Sequence, residues 1–198
     1  MKLYLLDAYA LIYRAYYAFI KNPRINSRGE NTSAILGFTN TLEEVIQKEQ
    51  PSHLGVAVDP SGGTFRHEAY PQYKAQREET PEAIRLAVPY IKEILEAYRI
   101  PLLEVKGFEA DDVIGTLARQ ADERGIDTVM MTPDKDYGQL VTDRIHMLKP
   151  ASGKNEAVLM GPAEVNAKWG LQNPSQVVDI LALMGDASDN IPGCPGVG

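Results

Sequence analysis

At 198 residues, with 44% hydrophobic and 24% charged side chains, the sequence can bury one full core, which excludes a disordered or fibrous chain. No apolar run approaches the roughly 18 residues a membrane span requires, and Asp7 arrives too early for a signal-peptide core, so a cytoplasmic location without membrane contact is expected. A single cysteine, Cys194, excludes an internal disulfide and a cysteine-based zinc site, leaving oxygen or histidine to hold any metal.

In chain order, the apolar run 3–6 meets Asp7 and reads as a buried parallel strand. Tyr9, Tyr13, Tyr16, Tyr17 and Phe19 then read either as a base-stacking platform or, Tyr13 apart, as a helix packing its aromatic face on the sheet. Over 33–50 the apolar positions Ile35, Leu36, Phe38, Leu42, Val45 and Ile46 recur at near-helical spacing, and Pro51 marks the stop. The run 54–58, ending at Asp59, completes a strand–helix–strand unit. Periodicity disappears over 60–80, where Gly, Pro, Tyr and basic residues predict a long functional or mobile loop. Thr80 and Pro81 read as the N-cap and first residue of a helix with an apolar face of Ile84, Val88, Ile91, Ile94, Leu95 and Tyr98, kinked at Pro89. Lys92, Glu93, Glu96 and Arg99 form its solvated face. A strand over 102–105, a helix from Glu109 to Gly125, a strand over 128–132, a short helix from Asp134 and a strand over 145–148 continue a parallel α/β sheet. A hairpin pairing 145–149 with 157–160, helices near 162–169 and 174–184, and a Gly/Pro tail close the chain.

The formal net charge of −7 argues at face value against a phosphate-rich partner, yet the acids are not spread evenly. They follow strands: Asp7, then Asp59, then Glu109, Asp111 and Asp112, then Asp134 and Asp136. Ligands of open parallel sheets bind beyond the carboxyl ends of the strands. Any one of these acids alone reads as a helix cap or first-turn residue, but so many on one rim point to a metal centre. With Asp186 and Asp189 the set reaches nine, and setting those aside leaves 20 Lys+Arg facing 18 acids. Crowded carboxylates need cations, and hard oxygen ligands point to magnesium or manganese. Two such ions can activate water and stabilise the leaving oxygen of a phosphodiester. In the tail, Gly193, Gly196 and Gly198 allow a tight turn whose amides can approach phosphates. The sequence ends within this element and reads as a fragment of a longer protein.

The motifs Leu6-Asp7-Ala8-Tyr9, Phe65-Arg66-His67-Glu68-Ala69-Tyr70, Tyr73-Lys74-Ala75-Gln76-Arg77, Gly107-Phe108-Glu109-Ala110-Asp111-Asp112, Thr132-Pro133-Asp134-Lys135-Asp136 and the stretch 185–198 closely resemble one family. They are similar to the N-terminal 5′-to-3′ exonuclease domains of the bacterial DNA polymerase I family, among the flap endonucleases, over essentially the whole chain. Ala8 departs from the glycine common there. The resemblance implies a PIN-like α/β fold, a mostly parallel sheet flanked by helices. A nuclease core over 1–160 would carry a helical arch at about 60–98, and 161–198 would begin a helix-three-turn-helix subdomain. It implies two divalent ions, Mg or Mn, on Asp7, Asp59, Glu109, Asp111, Asp112, Asp134, Asp136, Asp186 and Asp189, and a potassium ion in the helix-three-turn-helix. Lys74 and Arg77 would meet the scissile phosphate and Tyr13 would stack near the scissile nucleotide. Arg14, Arg66, Tyr73, Ser188, Gly193, Gly196 and Gly198 would contact DNA.

The activity so implied is metal-dependent, structure-specific 5′-to-3′ exonuclease and flap endonuclease cleavage in replication and repair. The partners would be DNA with a 5′ flap or nick, RNA-primed DNA, and a polymerase domain in the same full-length chain, the protein acting as a monomer. A magnesium phosphohydrolase on small phosphate esters would not need the basic, aromatic stretch 65–77. A non-catalytic DNA-binding module would suffer repulsion between its acids and the phosphates. His53, His67 and His146 lack metal-ligand spacing, Trp169 is expected as a core anchor, and Cys194 has no adjacent histidine to activate it.

Overall fold

The structure, a computed structural model, describes residues 1–151, 153 and 155–197. Strands β1 (Lys2–Asp7), β2 (His53–Ala57), β3 (Leu102–Leu103), β4 (Asp127–Met131), β5 (Ile145–Lys149) and β6 (Val158–Met160) form one six-stranded sheet in the order β3-β2-β1-β4-β5-β6. All neighbours pair in parallel except β5 and β6. Both faces of β1 are buried: Tyr4 and Leu6 join one core cluster and Leu5 joins the other, which is why the strand is an unbroken apolar run.

Helices α1 (Ala8–Ala18) and α2 (Ser33–Glu44, extended by a π-helical turn at Val45–Glu49) cover one face of the sheet. The short α3 (Phe65–Ala69) buries none of its residues, whereas α4 (Glu82–Ala97) inserts Ile84, Ala87, Ile91 and Leu95 into that same cluster. The other face is covered by α5 (Ala110–Glu123), α6 (Pro162–Trp169) and α7 (Val177–Met184), through Ile114, Ala118, Val165 and Val177. Trp169 packs at the margin of this second core. No helix among the described residues is long and apolar enough to cross a membrane.

Several expectations are corrected. The stretch over 60–80 is not structureless: α3 forms there because Thr64 and His67 close a capping box, with the Thr64 amide donating to His67 Nδ1 at 3.1 Å. The helix expected to belong to the arch is a wall of the core, leaving 64–77 as the segment that lies over the sheet's carboxyl edge. In α1 the fully buried face is aliphatic, through Ala8, Leu11, Ile12 and Ala15; Tyr13 and Tyr16 pack against that core partly buried, while Tyr17 stays 56% exposed. Strand β3 is shorter than the sequence suggests, while Pro89 lies inside α4, as expected.

Candidate active site

Register sets the site. Asp7 pairs opposite Ala57 on β2, and Leu6 opposite Met131 on β4, so the chain leaves all three strands at one edge of the sheet. Asp7, Asp59, Asp111 and Asp134, together with Glu109, line a cavity of about 560 Å³ at that edge. Asp111 is shared with a smaller recess of about 270 Å³ that holds Asp112, Asp136, Arg66 and Arg119.

The helix-cap reading and the site reading both hold. Asp7 caps α1, accepting from the Ala10 amide at 3.1 Å; Asp134 accepts from the Asp136 amide at 3.0 Å; Glu109 and Asp112 form the capping box of α5. Caps are the device that fixes these carboxylates at helix starts, and the parallel strands bring the helix starts together.

The acids divide by compensation. Arg66 grips Asp112 with two hydrogen bonds of 2.7 and 2.9 Å, Lys74 meets Glu109 at 2.8 Å, Arg77 meets Asp189 at 2.6 Å and Lys135 meets Asp186 at 2.6 Å. Asp7, Asp59 and Asp134 make no such pair among the described residues, and Asp111 has only Arg66 at 4.0 Å. Burial, with the charges of Asp59 and Asp134 adding to it, pushes Asp7 up to about 6. Burial also lifts Asp111 to about 6, against the pull of Arg66 and with Asp112 and Glu109 pushing the same way. For Asp112 burial is outweighed by the Arg66 hydrogen bonds, and its carboxyl lies below the usual range. Asp136 is raised by burial and by Asp134; its buried Oδ1 has no close hydrogen-bond partner among the described residues, the Lys135 ammonium standing 3.5 Å away.

A set of hard, under-compensated oxygen donors around one cavity fits divalent cations. Among the described residues no three acids or histidines close tightly enough to enclose an ion as they stand. The carboxylates border a cavity rather than a point.

The remaining expected residues scatter. Tyr13 lines the cavity and donates to Thr80 Oγ1 at 3.2 Å. Lys74, with a left-handed φ of 56°, and Arg77 also line it. Tyr73 is 5% exposed, its hydroxyl oxygen lying 2.9 Å from a carboxylate oxygen of both Glu109 and Asp189, with one proton to donate between them, so here it is a buried strut between two acids. Arg66 is spent on Asp112. Arg14 is not at the site at all: one residue beyond Tyr13, it is turned by about 100° around the helix, and its guanidinium donates to the Ala151 carbonyl and to Thr41.

In the tail, Ser188 is exposed, its carbonyl accepting from Arg77 at 3.2 Å. Gly193 is demanded by packing: a Cβ there, or on Gly185 across from it, would lie closer than 3.0 Å to the opposing backbone. Gly196 turns with φ 82° in open space, and Gly198 lies outside the described residues.

The sequence reading missed Tyr137 and Thr132, which both donate to Asp7 Oδ2, at 3.3 and 3.2 Å, and Lys135, which holds Asp186. It also missed Lys92 and Glu104, which line the cavity from α4 and from beyond β3. Thr132 and Lys135 lay inside a quoted motif; nothing local distinguishes the others.

The family described as 5′-3′ exonuclease, N-terminal resolvase-like domain, matches residues 2–170. DNA polymerase I of Bacillus caldotenax is 41% identical over 198 residues, all of this chain, which spans only 22% of that relative's length. Among solved structures, phage T5 5′-exonuclease with bound zinc aligns at TM-score 0.77 and 22% identity, over 100% of this chain and 72% of its own. A phage T5 flap endonuclease complex with DNA and metal ions aligns at 0.75 and 22%, over 100% and 71%.

Proposed function

From the premise that the chain belongs to the 5′-3′ exonuclease family, as its N-terminal resolvase-like domain, we propose that it is a divalent-metal-dependent nuclease that hydrolyses phosphodiesters at 5′ ends and 5′ flaps. The observation that carries this reading is the group of under-compensated carboxylates Asp7, Asp59, Asp111 and Asp134 around one cavity, with Lys74 and Arg77 on the same walls. A small-ester hydrolase would leave the cationic segment 64–77 without a purpose.

Asp7, Asp59, Asp111 and Asp134 would hold one set of ion contacts, and Glu109, Asp112, Asp136, Asp186 and Asp189 the remainder. Magnesium or manganese suits such ligands. When bound, the ions supply an activated water and charge stabilisation at the leaving oxygen. The chain's own residues do the positioning. Tyr137, Thr132 and the Ala10 amide fix the orientation of Asp7. Lys74 and Arg77 can exchange their carboxylate partners for the scissile phosphate, where a preorganised cation favours the transition state over the ground state. Tyr13 offers an aromatic face at the same cavity, for the base beside the cut.

The substrate follows: DNA bearing a 5′ flap or nick, including RNA-primed DNA, gripped through its backbone. A potassium ion near the tail and a polymerase domain in the same polypeptide belong to this proposal as well. Cleavage of a 5′-flap oligonucleotide with magnesium, manganese or EDTA tests it. Metal-dependent cutting and a higher melting temperature in saturating manganese are expected; EDTA-insensitive cutting, or hydrolysis of small esters alone, defeats it.

A further inference from the structure

Among the described residues, three cations line the cavity: Lys74, Arg77 and Lys92. The first two are tied to Glu109 and Asp189, acids of the proposed metal set. Lys92 differs. Its ammonium pairs with Glu104 at 3.0 Å, outside that set, and the two side chains are 42% and 35% exposed. Its backbone is held by apolar packing, because its neighbour Ile91 is 2% exposed and Leu95, one turn on, is 1% exposed.

A nucleic acid entering this cavity carries a phosphate on each nucleotide toward a wall of carboxylates. Ions and the cations of 64–77 can neutralise the phosphate being cut; its neighbours need a cation of their own. We propose that Lys92 is a substrate-positioning residue whose ammonium takes a phosphate of the bound strand other than the one cut, with Glu104 holding the side chain at the cavity in the free protein. An exposed Lys–Glu pair contributes little to stability, so exchanging the Glu104 carboxylate for a phosphate costs little. Because α4 is anchored in the core, the charge is presented without waiting for the segment 64–77 or for metal. This inference rests on the nuclease reading and adds to it a second phosphate subsite on the α4 side.

The test is the affinity for a 5′-flap oligonucleotide in EDTA across a salt series, beside single-turnover cleavage in magnesium. Lys92→Ala should weaken binding several-fold and flatten the slope of log affinity against log salt by about 0.7 to 0.9, the share of one phosphate contact. Its cleavage rate at saturating DNA should stay within about twofold of the parent's. Lys92→Arg should restore both affinity and slope, and Glu104→Gln, which frees the ammonium, should tighten binding. Replacing single linkages by neutral methylphosphonates should reveal one position that weakens the parent protein but not Lys92→Ala. An unchanged affinity and slope in Lys92→Ala overturns the inference, as does a full loss at every neutral linkage in that variant. Should the parent protein neither bind nor cut the flap, the nuclease reading itself falls, and this one with it.

Discussion

The carboxyl ends of β1, β2 and β4 and the segment 64–77 supply the same cavity, and they are built by opposite means. Asp7 stands where ladder register and a helix cap put it, with Tyr4, Leu5 and Leu6 buried directly before it. In the segment only Thr64 and Tyr73 are buried, and it is held instead by its own charges: Arg66 on Asp112, Lys74 on Glu109, Arg77 on Asp189. The acids are positioned by backbone and core before any cation arrives, whereas the position of the segment depends on those acids. A partner that claims the acids therefore releases the cations.

The sharpest way to break this comparison is to neutralise an acid on the rigid side. Asp111→Asn or Asp134→Asn should cut metal-dependent flap cleavage by at least about a thousandfold while circular dichroism and the unfolding midpoint remain near those of the parent. Near-normal cleavage by either variant would remove that acid from the centre. On the same rigid side, Ile91→Ala should cost about 2 to 5 kcal/mol of stability in denaturant unfolding, because it empties a filled core position under α4. A loss well under 1 kcal/mol would mean that α4 is not anchored as described.

On the charge-held side, Lys74→Ala should slow single-turnover cleavage by about a hundredfold with a much smaller change in DNA affinity. Affinity and rate falling together would make Lys74 a binding residue. The smallest effect concerns protons. Asp7 has a folded value of about 6 against an ordinary 3.8, so in metal-free protein its ionisation costs stability. The penalty is absent below pH 4, grows as pH rises between 4 and 6, and is complete above that window. Asp7→Asn should therefore stabilise the metal-free protein by about 1 to 3 kcal/mol at pH 7 and by nothing at pH 4, as read from urea midpoints at the two values. Equal midpoints at pH 7 would show that the carboxylate is not strained by its surroundings.

The same contrast separates what a sequence can disclose from what it hides. Strand-end acids are legible because a buried parallel strand leaves an apolar run and the chain must turn polar where it emerges. Asp7 and Asp59 mark those points without any knowledge of the fold. The motifs of the family resemblance supply the rest of that rim. The segment 64–77 is opaque for the opposite reason. Helix α3 has five residues, too few for an apolar period, and its start depends on a histidine reaching back to Thr64. Tyr73 is buried by partners 36 and 116 positions away, Glu109 and Asp189, so its own neighbourhood in the chain says nothing of its burial. Lys92 satisfies every rule for a solvated helix face; only Glu104 and the cavity give it another meaning. Arg14 fails differently, since proximity to Tyr13 in sequence is a quarter-turn of helix in space.

The Gly185–Gly193 crossing has a consequence for how substitutions would be tolerated. The loop it pinches carries Asp186 and Asp189, and Asp189 in turn holds Arg77 by a side-chain pair and Lys74 by its carbonyl, at 3.0 Å from the Lys74 amide. Neither glycine offers a functional group, yet any side chain at either would prise the loop open and carry both aspartates with it. In a saturation library scored for cleavage, these two positions should be as intolerant as the carboxylates themselves, with alanine already excluded, while Gly196, which faces open space, should accept asparagine.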